Sequence, residues 1–298
     1  LKRLEAEIVV LGAGIAGLTA ARVLQDAGLE VLVLSEELGG ASTVPVALLN
    51  PVRGQRGSVA PEAEEALEAL WAFYPRHTLV HRGVVRPVPE PDRAAWRAKL
   101  HHRSIPHRWT EEGIYLENAA WLEPASLLAR LREGLNLQHV KIAFLDGNTL
   151  YTAEGEALWA RRVIYAGGAS GAHLVGLGGR FTAGSVLGLR ERFETARSYG
   201  VYVAGNSLGG SYLPHTLSYT PHTTAPEEVE WLLESGQRLL GYRVEPRSSW
   251  AGVRYRLDRH YLRAIPGGFA LTGFGSAGFF YAPLYARRLL ERIRAVPT

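Results

Sequence analysis

Apolar residues recur along the chain in two rhythms, and the switch between them marks the elements. Glu7–Leu11 (EIVVL) is a short β-branched run with a glycine behind it, which predicts a buried parallel strand. Ile15–Ala27 then follows a helical period, with Leu18, Ala21 and Leu24 on one face and Gly28 as the stop. Val31–Leu34 predicts a second buried strand. Strand, helix and strand within about 30 residues make a right-handed βαβ unit of a parallel sheet.

Farther on the pattern is mixed. Helices are expected over Pro61–Tyr74, Asp92–His102 (capped by Asp92) and Pro124–Glu133, the last with proline in its first turn. Short strands are expected at Val84–Pro87 and Val140–Phe144, and a hairpin over Leu145–Leu158 around Asp146-Gly147-Asn148. Arg162–Tyr165 reads as another apolar strand, ending at Gly167-Gly168. From Phe181 to Trp250 strands and turns dominate, and Tyr199–Pro226 holds no Asp, Glu, Lys or Arg. Pro226–Leu240 predicts a helix, Phe269–Thr272 a last buried strand, Gly273–Gly278 a turn and Phe279–Ile293 a closing helix. "PHT" occurs at Pro214–Thr216 and Pro221–Thr223, too short to be a repeat architecture. The fold class is α/β. With no clear linker, the expectation is two interleaved domains: a Rossmann-like one from 1–60, 118–182 and 250–298, and an α+β one on an antiparallel sheet from 61–117 and 183–249.

Composition narrows the options. The 298 residues are 47% hydrophobic and 21% charged, which excludes disordered and fibrous classes. With no cysteine, disulfides, thiolate metal sites and a cysteine nucleophile are excluded. The net charge of +4 rests on arginine, since Lys2, Lys99 and Lys141 are the only lysines. Lys2 and Arg3 precede an apolar stretch that Glu5 and Glu7 interrupt, so no signal peptide is read and a cytoplasmic location is expected. Phe269–Ala286 lacks charge, but Gly273, Gly275, Gly278 and Pro283 suit strand–turn–helix rather than a membrane span.

Gly12-Ala-Gly14-Ile-Ala-Gly17 follows a strand and opens a helix, the setting in which G-x-G-x-x-G binds a dinucleotide. Gly12 allows the tight turn, Gly14 lets a pyrophosphate approach the backbone, and Gly17 lets helix and strand pack closely. The helix N-terminus, including Ile15 and Ala16, offers N–H groups and a positive dipole end. The position that usually carries a ribose-binding acid holds Ser35, and the carboxylate comes one residue later at Glu36. Either Glu36 reaches the ribose through a local bulge or Ser35 does so. An acid here disfavours NADP. No residue set typical of an NAD enzyme is recognisable.

Gly39-Gly40-Ala41-Ser42 follows the second strand at once, and here the chain resembles the FAD-dependent D-amino-acid oxidase superfamily. That superfamily includes glycine oxidases, sarcosine oxidases and the oxidase part of the tRNA enzyme that processes carboxymethylaminomethyl-uridine. The resemblance runs through five patches: Ile8–Leu34; Gly39–Ser42 with Val46–Pro51; Trp121–Pro124 with the following helix and Val140; Val163–Ser170; and Trp250–Arg254 with Leu271–Pro283. It implies a Rossmann-like FAD domain and a substrate domain whose antiparallel sheet roofs the flavin. It also implies FAD contacts at Gly40, Ala41 and Ser42, under the flavin at Ala47 and Leu48, and beside the adenine at Val140. Further contacts are implied at Ala166, Gly167 and Gly168, and at Gly273, Gly275, Ser276, Ala277 and Gly278, where N–H groups of a second glycine-rich turn face the flavin.

The chemistry implied is oxidation of a C–N bond of a small amino acid or secondary amine, by hydride transfer to flavin N5 with oxygen as acceptor. No acid–base residue is strictly needed. Within the Trp-Ala-Gly-Val-Arg segment, Arg254 is the substrate-carboxylate anchor, because a guanidinium can bind a carboxylate by two parallel hydrogen bonds. Tyr202 is a second pocket residue, whereas Tyr281 suits helix packing. The family has Pro after the Arg and Asp five residues on; here Tyr255 follows and Asp258 comes at four. Glycine oxidases often have a second Arg where Ser276 stands, which weakens a simple glycine-oxidase reading.

Between Arg76 and Arg108 there are eight Lys and Arg against Glu90 and Asp92, interleaved with Trp96 and Trp109. This would suit RNA, and a modified tRNA wobble uridine is the alternative substrate; a solvated basic face is the favoured reading. His101-His102 are adjacent on a helix and point about 100° apart, so no metal is assigned. An NAD-dependent dehydrogenase and a catalytically inactive protein of the same fold are the rivals of other classes.

Overall fold

The computed structural model describes residues 2–3, 7–258 and 260–295. In chain order, β1 is Ile8–Ala13, α1 Ile15–Asp26, β2 Val31–Leu38, β3 Ala47–Leu49, α2 Ala63–Phe73, β4 His81–Pro87 and α3 Arg93–Leu100. There follow β5 (His107–Trp109), β6 (Gly113–Leu122), α4 (Pro124–Arg132), β7 (Asn136–His139), β8 (Ile142–Asp146), β9 (Thr149–Thr152), β10 (Ala157–Trp159) and β11 (Arg162–Tyr165). The last part holds β12 (Arg180–Tyr199), β13 (Val201–Gly209), α5 (Pro226–Leu240), β14 (Pro246–Arg256), β15 (Leu262–Ile265), β16 (Gly268–Leu271) and α6 (Gly278–Ala295).

Two large sheets carry the fold. The first runs β7-β2-β1-β11-β16-β15, parallel except for the β15–β16 hairpin. Its central strands are buried on both faces, which is why they read as unbroken apolar runs. The second runs β13-β12-β4-β6-β3, with β14 on the other length of β12 and β5 on β6, and it is mostly antiparallel. Helices α1 and α6 pack together over the first sheet, and α2 packs on α6. The expected α/β class with one parallel and one antiparallel sheet is what forms.

Helix α6 contains Pro283, which has no N–H to bond the Phe279 carbonyl one turn back. The buried Tyr74 hydroxyl donates to that carbonyl at 2.6 Å, just beyond the end of α2. The break in the helix ladder thus becomes a point of attachment.

Three local expectations need correction. The strand expected at 140–144 is two strands, β7 pairing with β2 and β8 pairing with β9, and Val140 lies between them. β7 was hidden because it is a largely exposed edge strand, with Asn136, Gln138 and His139 facing solvent. Asp92 makes no side-chain cap. It ends a 3₁₀ turn and already has helical dihedrals, not the extended ones an N-cap needs. Finally, the predicted hairpin holds only its first turn, Gly147-Asn148 between β8 and β9; a third strand, β10, completes a meander.

Candidate active site

A cleft of about 1490 Å³ opens between the carboxyl ends of β1, β2 and β11 and the face of the second sheet. A site for one small molecule usually spans about 300–1,000 Å³, so this one has room for a long ligand and a second molecule.

One end is built by the parallel sheet. Gly12, with φ +107°, turns the chain sharply after β1, and a Cβ there would stand 2.5 Å from the Ala166 carbonyl. Gly14, Ile15 and Ala16 then start α1 against the cleft. No side chain of the preceding residue caps α1. The Ile15 amide donates to Ser42 Oγ at 3.0 Å, and the rest of the first turn is left for a ligand. Gly17 does not line the cleft. A Cβ on it would lie 1.9 Å from the Gly12 carbonyl, so its place is the helix–strand contact.

At the end of β2 the pairing with β1 slips between Leu11 and Ala13, which bulges β2 over 35–37. Ser35 Oγ accepts from the Ala13 amide at 3.1 Å and donates to the Glu37 carbonyl at 2.6 Å. Glu36 pairs with Lys141 Nζ at 2.7 Å. Lys141 occupies one carboxylate oxygen, and the exposure of both groups leaves the other accessible at the cleft edge. Gly40, Ala41 and Ser42 on a 3₁₀ turn, Ala47 and Leu48 on β3, and Val140 after β7 line the same cleft. So do Ala166, Gly167 and Gly168 after β11, and Gly273, Gly275, Ser276, Ala277 and Gly278 leading into α6.

The other end is roofed by β12–β14. Strand register sets Arg254 of β14 opposite Thr182 of β12. Its Nη2 donates to the carbonyls of Ser211 at 2.8 Å and Ala183 at 3.2 Å, and the guanidinium lies 4.2 Å from the centre of the Tyr212 ring. Among the described residues no carboxylate comes within ion-pair distance of Arg254. Tyr202 on β13 donates to the Val46 carbonyl at 3.2 Å, and burial raises its hydroxyl well above the ordinary tyrosine range. Tyr281 is buried and donates to the Pro61 carbonyl, a packing role.

Several residues were not singled out from sequence. Asn50, Arg53, Arg86, Tyr212 and His222 all line the cleft. Arg86 is buried and donates to the carbonyls of Val52 at 2.7 Å and Gly54 at 2.6 Å; burial pushes its pKa down to about 10. The basic stretch is mostly engaged with protein. Trp96 is buried and cannot stack on a base, because Arg86 sits over its ring and Gly57 closes against it. Trp109 is covered by Arg97 at 4.6 Å. No group of three metal-binding side chains occurs among the described residues.

These features suit a flavin dinucleotide: an open helix N-terminus, glycines whose Cβ would fill the approach to it, and a long cleft. A family model described as FAD dependent oxidoreductase (DAO) matches residues 7–292, and the chain belongs to that family of oxidoreductases. The NAD-dehydrogenase alternative falls with that match. The chain is 28% identical to the tRNA 5-methylaminomethyl-2-thiouridine biosynthesis bifunctional protein MnmC of Maricaulis maris, over 98% of its own length. It spans 53% of that relative, about half of it. Among solved structures it is similar to glycine oxidase from Geobacillus kaustophilus, with a TM-score of 0.80, 19% identity, and coverage of 98% of this chain and 95% of that one. It is also similar to an L-alpha-glycerophosphate oxidase from Mycoplasma pneumoniae with FAD bound, with a TM-score of 0.76, 16% identity, and coverage of 98% and 95%. No helix among the described residues is long and apolar enough to cross a membrane.

Proposed function

We propose that the cleft holds FAD and that the protein oxidises the C–N bond of an amine bearing a carboxylate. The observation that carries this is Arg254, a cation fixed by backbone carbonyls, stacked on Tyr212 and, among the described residues, without a carboxylate of its own. A bound substrate carboxylate supplies the missing partner and is oriented by the planar fork.

The turns at Gly12–Gly14 and Gly40–Ser42 hold the pyrophosphate, with Ser35 or Glu36 at the ribose. Val140 lies beside the adenine, Ala47 and Leu48 lie under the flavin, and Ala166–Gly168 and Gly273–Gly278 close on it. When bound, the flavin supplies the two-electron acceptor for the amine carbon, with oxygen as final acceptor. The protein's part is alignment and exclusion of water, with Tyr202 closing the pocket wall through Val46. A chain without cysteine suits a reducing compartment, and we place the activity in the cytoplasm.

The test is the flavin content of the purified protein, followed by anaerobic addition of small amino acids and secondary amines. Bleaching of the flavin by a carboxylate-bearing amine is expected; a flavin that no amine bleaches refutes the reading. The MnmC relatives favour a second reading, oxidative removal of a carboxymethyl group from a modified tRNA wobble uridine. Its mark is tRNA binding that collapses with salt.

A further inference from the structure

Behind Arg254 lies a buried carboxylate with no arginine or lysine partner among the described residues. Glu228, in the first turn of α5, is 8% exposed. Ser211 Oγ donates to its Oε1, and His222 Nε2 lies 2.9 Å from its Oε2. Burial raises the Glu228 pKa, but hydrogen bonds from Ser211, His222 and Ser185 outweigh burial and hold it below the usual carboxylate range. Glu228 is therefore an ionised acceptor with nothing to donate.

That fixes the histidine. A carboxylate can only accept, so the His222 nitrogen facing it must carry the hydrogen. In the neutral ring this is the Nε2–H tautomer, whose Nδ1 keeps its lone pair. His222 lines the cleft, and no bond from Nδ1 to protein is formed among the described residues. Ser211 stands between the two halves of this wall. Its carbonyl accepts from Arg254 Nη2 at 2.8 Å, and its hydroxyl holds Glu228. The cation that would take a carboxylate and the imidazole are thus set by one residue.

We propose that His222 is the base that takes the proton from the substrate ammonium, with Glu228 as its positioning residue. This rests on the amine-oxidation reading above. An amine gives up a hydride from its neighbouring carbon only when its nitrogen is neutral, and most amines are ammonium ions at pH 7. In the step, a substrate N–H bond breaks, an Nδ1–H bond forms, and the electron pair stays on the substrate nitrogen as a lone pair. No oxidation state changes. The Glu228 carboxylate offsets the positive charge the ring acquires. Among the described residues the other ionisable groups on this wall include Arg254 and Tyr255 on β14, Tyr202 on β13, and Tyr212, His215 and Tyr219 on the strap, residues 210–225, that carries His222; burial keeps Tyr202 protonated.

The test has two arms. The first needs no substrate: imidazole ¹⁵N spectra of the flavoprotein, with the His222 signals assigned by their loss in His222→Asn. The Nε2–H tautomer is expected, and Glu228→Gln, whose amide can donate to Nε2, should abolish it. A His222 in the Nδ1–H form, or one indifferent to Glu228→Gln, overturns the assignment. The second arm follows anaerobic flavin bleaching against pH. His222→Asn should be slower by ~10²-fold at neutral pH and should recover towards the wild-type rate in strong alkali, where the amine is already neutral. Equal slowing at all pH values would mean a merely structural role and overturn the base assignment, as would a profile superimposable on wild type. If no amine bleaches the wild-type flavin at any pH, amine oxidation itself fails, and the base assignment with it, whatever the tautomer.

Discussion

Alanine at Gly14 and at Gly17 should separate binding from folding within one turn. At Gly14 the backbone has φ −83° and ψ −176°, open to alanine. The new Cβ would stand 3.2 Å from Ser42 Oγ and 3.4 Å from the Gly39 carbonyl, contacts a small shift relieves. As an N-cap, alanine is worse than glycine by roughly 1 kcal/mol at most. The methyl group, however, lies where a pyrophosphate must approach. Loss of two charge-assisted hydrogen bonds at about 1.5 kcal/mol each is a ~10²-fold loss of affinity. At Gly17 the Cβ would lie 1.9 Å from the Gly12 carbonyl, a backbone atom that cannot step aside, and overpacking costs ~1–3 kcal/mol or more. The assay is thermal unfolding of flavin-stripped protein with and without FAD. At a free FAD concentration 100 times its Kd, the wild type should gain about 2.7 kcal/mol. Gly14→Ala under the same conditions should gain only about 0.4 kcal/mol while its unliganded midpoint stays near wild type. Gly17→Ala should already melt early without ligand. A Gly14→Ala protein that responds to FAD like wild type would refute the placement of the pyrophosphate, and a Gly17→Ala protein of wild-type stability would refute the packing argument.

Arg254→Lys should keep the flavin spectrum but raise the Kd for a carboxylate-bearing amine by ~10²-fold, since a point charge cannot hold the Ser211 and Ala183 carbonyls and a carboxylate together; titration of the flavin absorbance reads it, and an unchanged Kd would place the carboxylate elsewhere. Tyr74→Phe leaves the Phe279 carbonyl of α6 without a donor and should cost ~1–3 kcal/mol in denaturant unfolding; a neutral result would mean that water or a neighbour replaces the hydroxyl. Glu62 is raised by burial but lowered more by hydrogen bonds from Tyr285 and Arg288, so its pKa sits below the ordinary 4.5. A depressed carboxylate stabilises above its unfolded value and loses that contribution as pH falls through its folded one, so stability should drop below pH 4.5, and Glu62→Gln should flatten part of that drop in acid unfolding curves.

The glycine-turn end of the cleft was legible in sequence because it is local. One βαβ unit supplies strand, glycine turn and helix within a short window, and the residues that face the cleft there are close in sequence. Helix α5 was read to its terminal residues because Pro226 opens it and Gly241, with φ +83°, closes it. The end roofed by β12–β14 was harder. Ser211, His222, Glu228 and Arg254 come from four separate positions that only the register of β12 with β14 and the path of the strap bring together. Trp96 was misjudged for a related reason: a tryptophan amid arginines looks exposed in sequence, whereas Arg86 spends its donors on the Val52 and Gly54 carbonyls and lies with Trp96 in the core.

The absence of charge over Tyr199–Pro226 acquires a physical meaning from the fold. That stretch supplies β13 and the strap whose backbone pairs with β12 at Phe181, Ala183 and Ser185, so it forms the wall around Arg254. In a chain with 30 arginines many guanidiniums find a carboxylate, as Arg192, Arg243 and Arg288 do. A single Asp or Glu on the strap would have done the same for Arg254 and removed the field that, on the proposed reading, attracts a substrate anion. The wall instead offers carbonyl oxygens, which orient a guanidinium without neutralising it, and the buried carboxylate linked to it through Ser211, Glu228, is spent on Ser211 and His222. On the proposed reading, the charge missing beside Arg254 is the one a substrate carboxylate supplies.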